Sequence, residues 1–263
     1  MKRIIIITGA SSGMGAEFAR QIYAQKSIEN REMWLIAREA DKLSEFAKTL
    51  SGKNITVRTF AMDLCGADGA GHIKDILDTE HKKGKFVIDL LINNAGFGTY
   101  GPFVETDPKR EMMMVDLNCT ALTGICGFAL PHMQRGGRII NVASLAAFLP
   151  LGNFAVYAAT KSYVLSFSIA LAAELKERGI SVCATCPGSV STNFANVASN
   201  GKRTEVLHGC DPCRVVAHAL RASERGRKIA LWRPKWKIVA FMSRFIGRYV
   251  GARFTYLFNK RPH

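Results

Sequence analysis

Tyr157 and Lys161, in the run Tyr-Ala-Ala-Thr-Lys, have the residue types and the spacing for proton chemistry. A separation of four on a helix puts the phenol and the ammonium on one face, about one turn apart. A phenol with a pKa of about 10 is a poor acid or base near neutrality, but a fixed cation beside it stabilises phenolate and lowers that value. Ser144 follows a β-branched run, so its hydroxyl sits where a strand ends and can hydrogen-bond a substrate oxygen. A Tyr/Lys pair of this spacing is as often an ordinary helical pair, so the reading depends on what else converges.

A second chemistry is phosphate binding. Thr8-Gly9-Ala10-Ser11-Ser12-Gly13-Met14-Gly15 joins an apolar run to a helical pattern. Glycines at 9, 13 and 15 allow a tight turn and a close approach to a pyrophosphate, while the helix N-terminus favours its charge. The next β-branched run ends Leu35-Ile36-Ala37-Arg38. In dinucleotide sites this position selects the cofactor: an acid takes a ribose 2′-hydroxyl, a base a 2′-phosphate. Ala37 stands where the acid would be, and the Arg38 fork suits a phosphate, so NADP(H) is expected over NAD(H), although Glu39 adds an opposing charge.

These residues need a scaffold, and short β-branched runs alternating with longer helical patterns provide one. Strands are expected at 3–8, 32–37, 56–62, 89–93, 137–143, 180–186 and 229–232, and helices near 14–25, 40–50, 70–82, 109–133, 154–178 and 211–222. Several strands are apolar at consecutive positions, as strands buried on both faces should be. The expectation is an α/β protein: one doubly wound domain over 1–232, its seven-stranded, mostly parallel sheet covered by helices on both faces, with a C-terminal extension over 233–263.

Six motifs then fall in order: Thr8 to Gly15, Asn93-Asn94-Ala95-Gly96, Asn118 with Pro131 thirteen residues later, Ser144, Tyr157-x-x-x-Lys161, and Pro187-Gly188-Ser189-Val190-Ser191-Thr192. Together they resemble the short-chain dehydrogenase/reductase family, with its Rossmann-type fold, over about residues 3–192. The resemblance implies Tyr157 as proton donor or acceptor, Lys161 on the nicotinamide ribose, Ser144 polarising the carbonyl, and Asn118 placing a water in the proton relay. It further implies that Ser11, Ser12, Met14, Asn94, Ala95, Gly96, Pro187 and Gly188 belong to the cofactor site, that Asp63 and Leu64 flank adenine, and that Val190 and Thr192 meet the nicotinamide. Met14 replaces the usual isoleucine, and Ala121 stands where a glycine often follows the asparagine.

The implied activity is hydride transfer between nicotinamide and an apolar ketone or secondary alcohol, such as a steroid, fatty acyl or aromatic carbonyl. The apolar character comes from Phe97, Tyr100, Leu145, Phe148 and Phe154, with no Lys or Arg in 97–104 or 145–156. A catalytically silent dinucleotide-binding regulator or membrane-surface scaffold is the alternative from another class, against which the complete Asn118, Ser144, Tyr157 and Lys161 set argues.

The 263 residues carry a net charge of +15, unevenly spread. Residues 214–263 hold 13 Lys/Arg and one acid, Glu224, for +12; residues 1–213 hold 23 basic and 20 acidic residues, for +3. From Trp236 to Val250 a helical period places Ile238, Phe241, Met242, Phe245, Ile246 and Tyr249 on one face and Lys237, Arg244 and Arg248 on another. This basic amphipathic helix reads as a lid, an oligomer interface or a peripheral membrane contact. A homo-oligomer is also expected from the apolar 154–178 helix, and nucleic acid is not, since no binding module accompanies the charge.

No window holds 18 uninterrupted apolar residues and no signal peptide is recognisable, so a cytoplasmic protein is expected, with any membrane contact peripheral. Seven cysteines, an odd number, argue against a disulfide framework. Cys183/Cys186 and Cys210/Cys213 have zinc-ribbon spacing, but strand residues three apart point to opposite faces, so no metal site is expected. His208 and His218 read as scattered loop and helix residues.

Overall fold

The computed structural model describes residues 1–25, 31–50, 55–204, 206 and 209–260. Four consecutive isoleucines account for its layering. In β1 (Lys2–Thr8) side chains alternate between faces, so Ile4 and Ile6 enter one apolar layer and Ile5 and Ile7 the other, none more than 1% exposed. Each such burial contributes about 1.5–3 kcal/mol. The chain adds β2 (Arg31–Ala37) and β3 (Thr56–Ala61) on one side of β1. It then crosses over to build β4 (Phe86–Asn93), β5 (Arg138–Val142), β6 (Ser181–Thr185) and β7 (Ile229–Ala230) on the other. The order is β3-β2-β1-β4-β5-β6-β7 and every pairing is parallel. All seven expected strands are present, and the sheet is wholly rather than mostly parallel.

Helices α1 (Gly13–Ala24), α2 (Ala40–Lys48) and α8 (Pro212–Glu224) cover the Ile5/Ile7 layer. On the other face, α3 (Gly66–Lys83), α5 (Leu122–Ala129) and α6 (Ala155–Glu174) cover Ile4 and Ile6. The crevice at the carboxyl ends of β1 and β4, where the winding reverses, is where such sheets receive ligands. Two segments, Pro108–His132 and Ala155–Glu174, are long and apolar enough to cross a membrane, despite the charged residues that interrupt their apolar runs. Both contribute buried side chains to the core beside the sheet.

Two expected helices differ. The segment predicted at 109–133 starts as α4 (Pro108–Val115), capped by Asp107, whose carboxylate accepts from Lys109 N at 3.0 Å. It then widens into a π-helical turn at Asp116–Ala121, continues as α5, and tightens to a 3₁₀ turn at Leu130–His132 around Pro131. The tail is not one helix over 236–250 but two, α9 (Pro234–Met242) and α10 (Arg248–Phe258). Tight turns from Phe241 O to Arg244 N and from Met242 O to Phe245 N end the first, and Gly247 caps the second. All six apolar side chains expected on one face, Ile238, Phe241, Met242, Phe245, Ile246 and Tyr249, are exposed.

At the amino-terminal edge, away from the crevice, four charges close a ring. Lys2 Nζ reaches Glu32 and Glu80 at 2.6 and 2.7 Å, and Arg58 Nη1 reaches the same two at 2.9 and 2.6 Å. The indole N–H of Trp34 also donates to Glu32, at 2.7 Å. Burial alone would push the Glu80 carboxyl up, but hydrogen bonds from Arg58 and Lys2 outweigh it and hold the pKa at about 2. The folded pKa lies below the ordinary 4.5, so the stabilisation is complete above that value and is lost as pH falls towards about 2. The stability advantage of the wild type over Glu80→Gln in urea unfolding is therefore expected to shrink across this window; a constant difference would contradict the ring.

Candidate active site

The first loop at the crevice depends on glycine. Gly9 and Gly13 have φ of +64° and +54°, and a Cβ on Gly15 would lie 2.0 Å from Gly9 O. α1 then starts at Gly13 with no side-chain cap on its first turn, leaving N–H groups that suit an anion. Asn94, after β4, ties this loop down: its Nδ2 donates to Thr8 O and Gly9 O at 3.1 and 3.2 Å. Thr8 Oγ1 in turn accepts from Asn94 N and Ala95 N, both at 3.0 Å. Asn94 thus acts as a strut between two strand ends. Across the crevice Thr192 packs where a Gly13 Cβ would lie 3.5 Å from its own, so the 187–192 loop lies beside the glycine loop. A fixed cradle at a helix N-terminus fits a dinucleotide pyrophosphate.

The second run ends as expected. Arg38 is exposed just beyond β2 and has no ion pair among the described residues, while Glu39 is engaged by Lys42 at 2.5 Å. Asp63 Oδ1 accepts from Cys65 N at 3.0 Å, and Leu64 is buried, with its backbone against Gly69. Ser11, Ser12 and Met14 lie on the loop and first turn.

At the far end, Lys161 lies on α6 with only 5% exposure, and its Nζ donates to Val142 O at 2.8 Å. Burial pulls its pKa from 10.5 to about 8. Nζ is 5.7 Å from the centre of the Tyr157 ring, one turn earlier, as the spacing predicts. Ser144, at the end of β5, caps the 3₁₀ turn Leu145–Phe148 by accepting from Ala146 N at 3.1 Å. Asn118 lies inside the π-helical turn. Its Oδ1 accepts from Phe97 N at 3.1 Å, and its Nδ2 donates to Phe97 O and Thr160 Oγ1 at 2.9 and 3.1 Å. A Cβ on Gly96 would meet Asn118 Oδ1 at 2.6 Å and Lys161 Nζ at 3.5 Å, so these three groups share one small space.

Of the expected pocket residues, Phe97, Tyr100 and Phe154 gather round Tyr157. Phe154 stacks on it at 4.1 Å and Tyr100 touches Phe154 at 4.8 Å. Leu145 does not join this cluster, its N bonding to Pro187 O at 2.8 Å, and Phe148 packs on the main core instead. Phe194, on α7 (Phe194–Ala198), is a member that sequence reading missed, 5.3 Å from the Tyr157 ring. Its only signal was a place two residues after Thr192.

Cys183 and Cys186 enter different apolar clusters, as the strand period requires, and burial pushes the Cys183 thiol up to about 12. Among the described residues no three His, Cys, Asp or Glu side chains stand close enough to hold a metal. His218 is half-buried beside Trp232, and His208 lies outside the described residues.

A parallel doubly wound sheet with a glycine cradle at its carboxyl edge defines a Rossmann-type dinucleotide fold. The chain belongs to the short-chain dehydrogenase family, whose pattern matches residues 3–203. It is 28% identical over 203 residues to the "Probable oxidoreductase EphD" of Mycobacterium tuberculosis, covering 75% of this chain and 32% of that one. The chain thus spans about a third of the length of this relative. It is 33% identical over 215 residues to the "11-beta-hydroxysteroid dehydrogenase" of Pinus massoniana, covering 80% of this chain and 57% of the other. Among solved structures, a short-chain dehydrogenase from Sphingobium yanoikuyae in complex with NADPH superposes with a TM-score of 0.78 at 26% identity, over 93% of this chain and 94% of that one.

The lowered lysine pKa carries a measurable sign. Between pH 8 and 10.5 the unfolded chain binds a proton at Lys161 that the folded protein has released, so stability rises with pH in that window. In the absence of nucleotide, wild-type stability relative to Lys161→Met should climb from pH 8 to 10.5, measured by urea unfolding. A flat difference would place Lys161 in solvent.

Proposed function

We propose that this protein is an NADP(H)-dependent oxidoreductase that interconverts an apolar ketone and its secondary alcohol. The observation that carries the reading is a buried lysine under a tyrosine at the carboxyl edge of the sheet. Burying an ammonium on a single carbonyl is costly, and a lysine so placed can serve the tyrosine proton as well as the nicotinamide ribose. Nicotinamide, when bound, supplies or takes up the hydride.

The chain's own residues handle the proton and the geometry. Tyr157 gives its proton to the carbonyl oxygen in reduction and takes it back in oxidation. The Lys161 charge favours the phenolate left behind, and its pKa of about 8 keeps it mostly protonated at neutral pH. Ser144 Oγ already accepts from Ala146 N, so its hydrogen remains to donate to the same substrate oxygen. The Asn118 side chain is committed to Phe97 and Thr160, so any relay water it positions is held by its main chain. The Gly9–Gly15 cradle and the 94–96 and 187–192 segments would hold the dinucleotide, with Asp63 and Leu64 near its adenine.

The aromatic surroundings of Tyr157, with Phe154 and Phe194 against its ring, support an apolar substrate. The hydroxysteroid dehydrogenase relative and the NADPH-bound structural neighbour point the same way. NADPH oxidation followed over a panel of steroid, fatty acyl and aromatic ketones tests the proposal. No consumption despite tight NADPH binding would favour the silent regulator. Tyr157→Phe should abolish turnover while leaving NADPH affinity within a few-fold, and turnover that survives would remove Tyr157 from the chemistry. Arg38→Asp should weaken NADPH far more than NADH; equal losses would detach Arg38 from the 2′-phosphate.

A further inference from the structure

The last acid in the chain is Glu224. Residues 225–263 carry eleven Lys/Arg and no Asp or Glu. Within this stretch α9 and α10 pack in an inverted manner, small residues inward and large apolar ones outward. Ala240, Ser243 and Gly251 are buried. A Cβ on Gly251 would meet the Leu149 side chain at 2.6 Å, and the Trp236 ring lies where a Gly188 Cβ would be, 2.5 Å away. Gly152 N donates to Thr255 Oγ1 at 2.8 Å, and Asn153 Nδ2 donates to Tyr256 O at 3.0 Å. The outer side presents Phe245, Tyr249 and Phe258 at 70, 79 and 73% exposure. Among the described residues, 12 of the 21 exposed large apolar side chains lie between 238 and 258. Such a concentration marks an interaction surface.

Charge decides the occupant. Two copies meeting through this face would bring Lys235, Lys237, Arg244, Arg248 and Arg253 against their own kind, with no carboxylate on either tail to answer them. A bilayer of anionic phospholipid accepts the apolar side chains and meets the cations with phosphate. Beneath α9 lies a cavity of about 310 Å³, with Arg227, Lys237 and Arg244 beside Phe148, Ile229 and Phe241, a lining that suits a headgroup phosphate next to acyl carbon. Burial, then Lys237 and the neighbouring arginines, hold the adjacent His218 below its ordinary pKa, as a cationic surface should.

We propose that α9 and α10 form a docking surface for anionic phospholipid membranes. Docked this way, α10 would lie between the lipid and the loop after Ser144, to which it is bonded. The proposal is independent of the hydride chemistry, and its test reads no turnover. The full-length protein should co-sediment with mixed phosphatidylcholine/phosphatidylglycerol vesicles and not with phosphatidylcholine alone. The variant Lys237→Glu/Arg244→Glu/Arg248→Glu should bind the mixed vesicles about 100-fold more weakly. Phe245→Ser/Tyr249→Ser should also lose binding, and since all five side chains are exposed, the thermal transition should be retained in both variants. Absence of sedimentation, equal sedimentation with neutral vesicles, or an unaffected charge variant would overturn the proposal. So would a dimer in analytical ultracentrifugation that Phe245→Ser/Tyr249→Ser dissolves, without vesicle binding, since that would give the face to a second copy.

Discussion

The contact between Lys161 Nζ and Val142 O is the constraint around which the rest of the site is arranged. An ammonium this well buried loses most of its hydration and regains one strong hydrogen bond, so its surroundings must hold that acceptor in place. Val142 ends β5, between β4 and β6, and strand pairing fixes its position. Lys161 projects from α6, whose Val164, Leu165 and Leu171 anchor it in the core. Gly96 leaves room for Asn118 Oδ1, which a Cβ would meet at 2.6 Å beside Nζ, and Asn118 holds the next residue, Phe97, by both its N–H and its carbonyl. Remove any one support and the lysine either reaches solvent or loses its proton.

The same economy of space governs the nucleotide end. Gly15 lies so close to Gly9 O that no larger residue fits, and Asn94 fastens that turn to the neighbouring strand. The two ends of the crevice therefore share the β4 terminus: Asn94 faces the glycine cradle, and Gly96, two residues on, faces the lysine. The ionic ring of Lys2, Glu32, Arg58 and Glu80 lies at the other edge of the sheet, where it secures the strands without placing its charges near the reacting groups.

The central strands were legible in the sequence because a strand buried on both faces must be apolar at successive positions, as at Ile4–Ile7 or Leu90–Ile92, whereas the half-exposed edge strand β3 showed only its β-branched and aromatic content. The Tyr157/Lys161 face was legible because helix geometry follows from spacing alone. The π-helical turn was not, since one widened turn leaves the apolar pattern on either side almost unchanged. Phe194 was not singled out because it reaches Tyr157 across the fold from a five-residue helix, too short to show a period. Phe148 was grouped with the pocket on polarity, yet a 3₁₀ turn sends neighbouring side chains in different directions, and this one enters the main core. The tail's break at 243–247 is a matter of local turn geometry, to which a hydrophobic period is blind.

The widened turn at Asp116–Ala121 can be understood as a retained insertion. It holds one residue more than a regular helix of its length requires. Deleting that residue would heal the helix and rotate everything on one side by about 100° relative to the other, carrying Asn118 away from Phe97 and Thr160. The irregularity thus places Asn118 where a regular helix would not, and the bonds to Phe97 and Thr160 depend on it.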